Sequence, residues 1–441
     1  MKNINYTKLS ERTIKWLFIL YSVIITIQYL LDAISDNFNK AGIIANISTF
    51  GYSDWFINFQ AGFVRRGIIG ELLLLLYNNF NIDVSHAIMA IVITSTTALI
   101  LCMIYMFRKK GLSLYLLPSI LFFGGFAING LIIYRRDALM MLIIFGALYF
   151  YKHYMTLFRQ KSVICVKGIT TYLMFSILSI LVILSHEASF FCFIPFVMFD
   201  YFMNGKSNFI CRTAKAIFFV MPAIVTMALA CIFKGNEETA NAIWNSYTPY
   251  FIEKFGYTLP IGAAVNALSW DTTSTFVWHF MSNYTFRTDG ITRIFYWAII
   301  YASSFYLMAN VNKIRVTKLD YERIDNNWLI TILLIQFISL LPMFTVLSCD
   351  LGRIIIYWSI SSFGIFSIID KSRYPILSKF SNRIENLFNN NILLSKKWFY
   401  IIISLVIIAP FAFFPTFEES FLTSVIGNLI YVTENVCKYL F

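Results

Sequence analysis

The chain is built from long apolar runs separated by short clusters of lysine and arginine. An α-helix needs about 20 apolar residues to cross the hydrocarbon core of a bilayer. Runs of this kind lie at about Ile14–Leu31, Ala87–Phe107, Leu114–Ile133, Ala138–Tyr151, Thr170–Ser185, Ala188–Phe202 and Ala216–Phe233. Four more follow at about Ile291–Met308, Trp328–Val346, Ile354–Ile369 and Trp398–Phe414. Backbone N–H and C=O groups in hydrocarbon must be paired within the segment, so such runs fold as helices. The expected fold is an all-α polytopic membrane bundle with about eleven (10–12) transmembrane helices. The run at 138–151 is short and is free to extend past Tyr151. Pro118 and Gly124-Gly125 favour a kink in the third run. Ser420–Phe441 is apolar on one side and reads as an interfacial or packed helix, or as a twelfth span. Composition agrees: 59% of the residues are hydrophobic and 13% charged, against about 25% charged in soluble domains.

Charge fixes the orientation. Cytoplasmic loops of membrane proteins carry an excess of Lys and Arg. With the N-terminus in the cytoplasm, the inner segments hold 24 of 35 basic and 7 of 23 acidic residues, net +17. The outer segments then hold 11 basic and 16 acidic residues, net −5. The inverted topology breaks the rule almost everywhere. The overall +12 is therefore a membrane signature, and no basic stripe suited to a nucleic-acid backbone appears. Lys2, Lys8, Arg12 and Lys15 precede the first run without a cleavage site, which reads as an uncleaved first span. The seven cysteines form no CxxC pair and read as small core residues. One integral domain, residues 1–441, is expected, with two long outer loops at about 32–86 and 234–290.

Against this background the arginines at outer ends of spans stand out. They are Arg65, Arg66, Arg135, Arg136 and Arg353, accompanied by Asp54, Glu71, Asp137, His186, Glu187 and Asp350. The topology puts these five stretches at one depth, where ionisable groups are costly and mark functional sites. Arginine suits phosphate, because its planar fork stays ionised and donates paired hydrogen bonds. Gly62, Gly67 and Gly70 around Arg65-Arg66 would let backbone amides approach an anion. The plainer reading pairs Arg136 with Asp137, and Arg353 with Asp350, as helix-end caps.

His186-Glu187 is a candidate acid–base pair, or else a buried pair that satisfies a tight turn. Phe190 rules out an HExxH zinc motif, and no other spacing makes a metal site. Asp54 is a candidate base toward a sugar hydroxyl, with a helix N-cap as the plain alternative for Ser53 and Asp54. Asp32 and Asp36 are weaker candidates of the same kind. Ile68–Tyr77 is too short to span and reads as a re-entrant or membrane-skimming helix. Trp244, Tyr247, Tyr250, Phe251, Tyr257, Trp270, Trp278, His279 and Tyr284 enrich the second outer loop. They read as a membrane-interface belt or as sugar-stacking rings.

With outer arginines, a His-Glu turn and about eleven spans, the chain resembles the Wzy-like O-antigen and capsular polysaccharide polymerases of bacteria. Arg135-Arg136-Asp137-Ala138-Leu139 fits the R-x-x-x-L pattern of those polymerases and the related ligases. Gly62-Phe-Val-Arg65-Arg66-Gly67, His186-Glu187 and Asp350-Leu-Gly-Arg353 look like a signature of their own. The resemblance implies a GT-C-like fold in the bacterial inner membrane, undecaprenyl-diphosphate-linked glycans as donor and acceptor, and no metal or other cofactor. It leaves room for a chain-length-regulating partner. The first outer loop departs from the family pattern, because it is as long as the second. On this reading the five arginines hold the diphosphate, while His186, Glu187 or Asp54 takes the acceptor proton. Two alternatives stay open: a GT-C enzyme moving one sugar from a polyprenyl-phosphate donor, and a lipid-linked glycan flippase or other transporter.

Overall fold

A computed structural model describes residues 40–117, 134–160, 165–271, 290–311, 325–348, 350–372 and 374–392, with a few isolated positions beside them. Among the described residues every regular element is helical. The expected spans at 14–31, 398–414 and 420–441, most of 114–133, and Asp32, Asp36, Trp278 and Tyr284 lie outside the described residues.

The helices are α1 (Lys40–Ser48), α2 (Gly67–Phe80), α3 (Val84–Lys109), α4 (Asp137–Arg159), α5 (Val166–Ser185), α6 (Ser189–Asn204), α7 (Phe209–Phe219) and α8 (Met221–Ile232). After them come α9 (Glu237–Asn245), α10 (Thr248–Phe255), α11 (Gly290–Ala309), α12 (Asn326–Ser339), α13 (Leu351–Ile368) and α14 (Pro375–Asn390). Helices α3, α4, α5 and α13 are each long and apolar enough to cross a membrane, and α7–α8 make a fifth if they form one broken span.

Sequence explains both kinds of span. Every residue of α13 from Leu351 to Phe366 is buried, as expected for a helix that is apolar all round. It is the central post, packed against α4, α6 and α12. By contrast α5 buries one face, and leaves Val166, Ile169, Leu173 and Ile177 exposed along the other. A continuous apolar stripe on the outside of a bundle marks contact with lipid or protein.

Two expected spans are interrupted. The run at 216–233 breaks at Val220 and bends by 62°; Pro222 follows at the start of α8, and without an N–H it cannot continue the hydrogen-bond ladder of α7. The run at 328–346 ends as an α-helix at Ser339 and continues past Pro342 as a five-residue π-turn, Met343–Leu347. Proline there has no N–H to continue the ladder.

Two hydrophobic cores divide the molecule. The larger fills the bundle of α3–α8 and α11–α14. The smaller joins residues 43–92 to residues 240–268, so the two long segments expected as outer loops pack on each other as a single cap. Phe56 meets Trp244, Tyr247 and Phe251, with ring centroids 4.8–5.8 Å apart. Tyr247 Oη donates to the Gly70 carbonyl (2.8 Å), and Asn58 Nδ2 donates to Ser246 Oγ (2.8 Å). This corrects the expectation of an aromatic belt or sugar grip for Trp244, Tyr247, Tyr250 and Phe251. Their side chains are buried in the cap core, because a loop of this length must bury its own apolar surface. Tyr257 and Trp270 remain exposed.

Candidate functional site

The charged turns meet at the seam between the cap and the bundle. From the cap, the loop before α2 brings Asp54, Arg65 and Arg66. From the bundle come Arg135, Arg136 and Asp137 at the start of α4, His186-Glu187 between α5 and α6, and Asp350 and Arg353 at the start of α13. Helices α4 and α5 pack on each other, and Arg136 at the start of α4 donates to the Ser185 carbonyl at the end of α5, so these two ends share a level.

Arg66 is the hinge of the network. Its backbone is left-handed, with φ 65°, a conformation that costs a non-glycine residue about 1–2 kcal/mol. The cost is offset by what the side chain reaches. Its Nε donates to Glu187 Oε2 (2.6 Å) and its Nη2 to Glu187 Oε1, a bidentate fork, while Nη1 lies 3.4 Å from Asp54 Oδ1. Arg136 is a cross-brace with a side chain only 1% exposed. It donates to the carbonyls of Arg66 (2.8 Å), Ser185 (3.2 Å) and Asp54, and stacks over the Trp55 ring at 5.3 Å. Arg353 forks onto Asp137 (2.8 and 2.9 Å). Tyr357 bridges the same pair, accepting from Arg353 Nε and donating to Asp137 Oδ1 (2.6 Å each).

The plain pairings expected from adjacency are therefore corrected. Arg136 works with Asp54 rather than Asp137, and the main partner of Arg353 is Asp137, with Asp350 at 3.6 Å. Tyr357 was missed by residue-by-residue reading. Its signal was the spacing: it lies four residues after Arg353, hence on the same helical face. Nor is Asp54 an N-cap; Thr49 accepts the capping bond from the Tyr52 N–H.

Two arginines retain donor capacity. Arg65 is 30% exposed and only 3.7 Å from Glu187. Arg135 is 15% exposed and 3.2 Å from Asp350. The Nε of each, like that of the fully buried Arg136, lacks a hydrogen-bond partner, which is unfavourable unless something else accepts from it; Arg65 and Arg135 differ from Arg136 in being partly exposed. Five guanidiniums face four carboxylates (5 − 4), leaving one positive charge in excess.

Burial pushes the Asp54 and Glu187 carboxyls up, but the arginines outweigh it. Arg136 and Arg66 hold Asp54 below its ordinary value, and Arg66 holds Glu187 well below the carboxylate range. His186 goes the other way. Burial, then the charge of Arg66, brings its imidazolium down to about 3. Its Nε2 faces the Arg353 Nη2 donor at 3.0 Å and its Nδ1 faces the Ala188 N–H at 3.2 Å, so both ring nitrogens meet donors and the ring is held neutral. The expectation of His186 as proton acceptor does not fit this geometry, since the basic nitrogen is occupied and the cation is disfavoured.

The glycines also differ from expectation. A Cβ on Gly67 would lie 2.4 Å from the Phe59 ring, and one on Gly70 would lie 2.0 Å from the Ile57 carbonyl oxygen. Both are glycine so that α2 can press against the preceding loop. Gly62 has φ 91° with open space around it. Glu71 accepts from the Phe59 N–H and from Gln60 Nε2, 2.9 Å each, and so closes that loop instead of joining the arginine network. Among the described residues no group of three or more His, Cys, Asp or Glu is placed to hold a metal ion. No family model, curated protein or solved structure matches the chain.

Proposed function

We propose that the chain is an inner-membrane glycosyltransferase that polymerises undecaprenyl-diphosphate-linked oligosaccharide units at the periplasmic face. It would do so within a GT-C-like bundle of about eleven spans with a cytoplasmic N-terminus. What supports this reading is the seam. Five arginines from three turns converge there, and Arg65 and Arg135 keep donors for an incoming anion. A diphosphate is the anion such forks suit best.

Arg65 and Arg135 bind the donor diphosphate and stabilise the charge that develops on it as it leaves; fixed cations in a water-poor site act strongly on such charge. Arg136 and Arg353 position them by bracing the turns. The acceptor hydroxyl oxygen bonds to the anomeric carbon as the bond from that carbon to the diphosphate oxygen breaks. The hydroxyl proton passes to Glu187, which is 20% exposed, against 9% for Asp54. When the diphosphate draws Arg65 and Arg66 toward itself, Glu187 loses the charges that suppress its basicity. The experiment is to replace Arg65 and Arg135 with glutamine in a strain displaying the surface polysaccharide. Shortened chains at normal protein level are expected; normal chain length would reject the proposal.

A single-sugar GT-C transferase is the second reading, favoured by Asp54 in the first outer loop; its variants would change a side branch and leave polymer length intact. A transporter draws support from the broken α7–α8 pair, but the arginine network lies at one end of the bundle rather than along a path through it.

A further inference from the structure

The end of the bundle opposite the seam carries a helix with an uncovered apolar face. Helix α13 starts at the seam and rises about 27 Å over its 18 residues, close to the thickness of a hydrocarbon core. Asp370, just past its end, pairs with Lys152 toward the end of α4 (3.2 Å). Helix α14 follows. Its inner side is fixed: Ser381 is buried and bonds Thr331 of α12 (2.8 Å), and Leu377, Ile384 and Phe388 pack on the bundle core. Beside that side, Ile376, Phe380 and Leu387 form a second apolar stripe at helical spacing, and all three are exposed. Helical rotation puts Lys379 and Arg383 along the free edge of this stripe. The segment 370–397 holds six basic residues (Lys371, Arg373, Lys379, Arg383, Lys396, Lys397) and two acidic ones, net +4 (6 − 2).

We propose that α14 lies in the headgroup layer of an anionic lipid leaflet, with Ile376, Phe380 and Leu387 on the acyl chains and Lys379 and Arg383 on lipid phosphates. An apolar stripe edged by cations, on a helix whose inner side is already fixed to α12, is the arrangement that binds such an interface. The charge selects the leaflet, since anionic headgroups attract juxtamembrane basic segments. Docking there pins the loop at 371–374, where the hydroxyls of Ser372 and Tyr374 both donate to the buried Asp200 of α6. The leaflet thus secures the far end of the bundle. This inference rests on the reading of the chain as a membrane protein.

The experiment uses the full chain in nanodiscs, which expose both faces, made either of phosphatidylcholine alone or of phosphatidylcholine with phosphatidylglycerol. Lys379 and Arg383 are trypsin sites. Cleavage at these sites is expected to be at least ten-fold slower in the anionic discs, and Phe380→Glu should abolish that protection. Lys379→Gln, read by cleavage at Arg383, should lower the docked-to-free ratio about five-fold for the charge removed. Phe380→Cys labelled with a lipid-sensitive fluorophore gives a second readout: quenching by acyl-chain-labelled lipid and not by aqueous iodide. Equal cleavage in both discs, or a label reached by iodide, overturns the proposal. So does a label reached by neither quencher, which would mean that protein covers the stripe. A chain that does not enter nanodiscs at all would instead sink the membrane reading.

Discussion

Replacing His186 with glutamine should change how the protein responds to acid. The folded His186 binds a proton only near pH 3, whereas an unfolded histidine does so near 6.5. Its folded value is depressed, so below about pH 6.5 the unfolded chain takes up a proton that the folded chain refuses. The stability it contributes is complete above that pH, and falls by about 1.4 kcal/mol per pH unit down to about pH 3. Between pH 6.5 and 4.5 the wild type should lose about 2 kcal/mol from this residue alone. Glutamine keeps an acceptor oxygen for Arg353 and does not titrate. At pH 7.5 the variant should be less stable by about 1–2 kcal/mol, the value of an imperfectly replaced hydrogen bond to a charged group. By pH 4.5 the order should reverse. Denaturant unfolding in mixed micelles at the two pH values reads this directly. Asp54 and Glu187 have depressed values as well, so their contribution persists to below about pH 4 and is common to both proteins. Parallel losses in wild type and variant would refute the assignment of His186 as a buried neutral acceptor.

Three further outcomes follow from the geometry. Gly70→Ala should cost about 3 kcal/mol or more, because its Cβ would meet the Ile57 backbone; Gly62→Ala, strained only in φ, should cost about 1–2 kcal/mol, and the two are compared by unfolding in micelles. Asp137→Asn strips the buried Arg353 of its fork and should destabilise by about 3–5 kcal/mol, whereas Tyr357→Phe should cost about 1–3 kcal/mol. Glu187→Gln should abolish polymer elongation in cells while purified protein still binds undecaprenyl diphosphate, which separates proton transfer from anion binding.

How much of this was readable in the chain differs residue by residue. The helical class followed from hydropathy, since runs such as 87–107 and 354–369 admit no other backbone solution in lipid. The gathering of charged turns also followed, because topology alone puts Arg65, Arg135, His186 and Arg353 at one level. Which charge meets which did not. Arg353 and Asp137 are 216 residues apart, and Arg136 reaches Asp54 across 82. Such pairings are set by helix rotation and tilt, which one sequence records only faintly. The same limit hid the breaks at Val220 and Ser339, where an apolar run reads as continuous until packing bends it. The aromatic residues of the second long loop misled for another reason. Burial in a cap core and display at an interface demand the same residue types, so Trp244 and Tyr247 carry no mark that separates the two.

The central claim is that Arg65 and Arg135 form the anion-binding wall of the seam. It is tested most directly by equilibrium binding of undecaprenyl diphosphate and of undecaprenol to the purified protein and to its Arg65→Gln, Arg135→Gln double variant. Each charged hydrogen bond lost is worth about 1.5–3 kcal/mol. The double variant should therefore bind the diphosphate at least about 100-fold more weakly, with undecaprenol binding and unfolding unchanged. Equal affinity of both proteins for the diphosphate, or equal affinity of the wild type for diphosphate and alcohol, would contradict it.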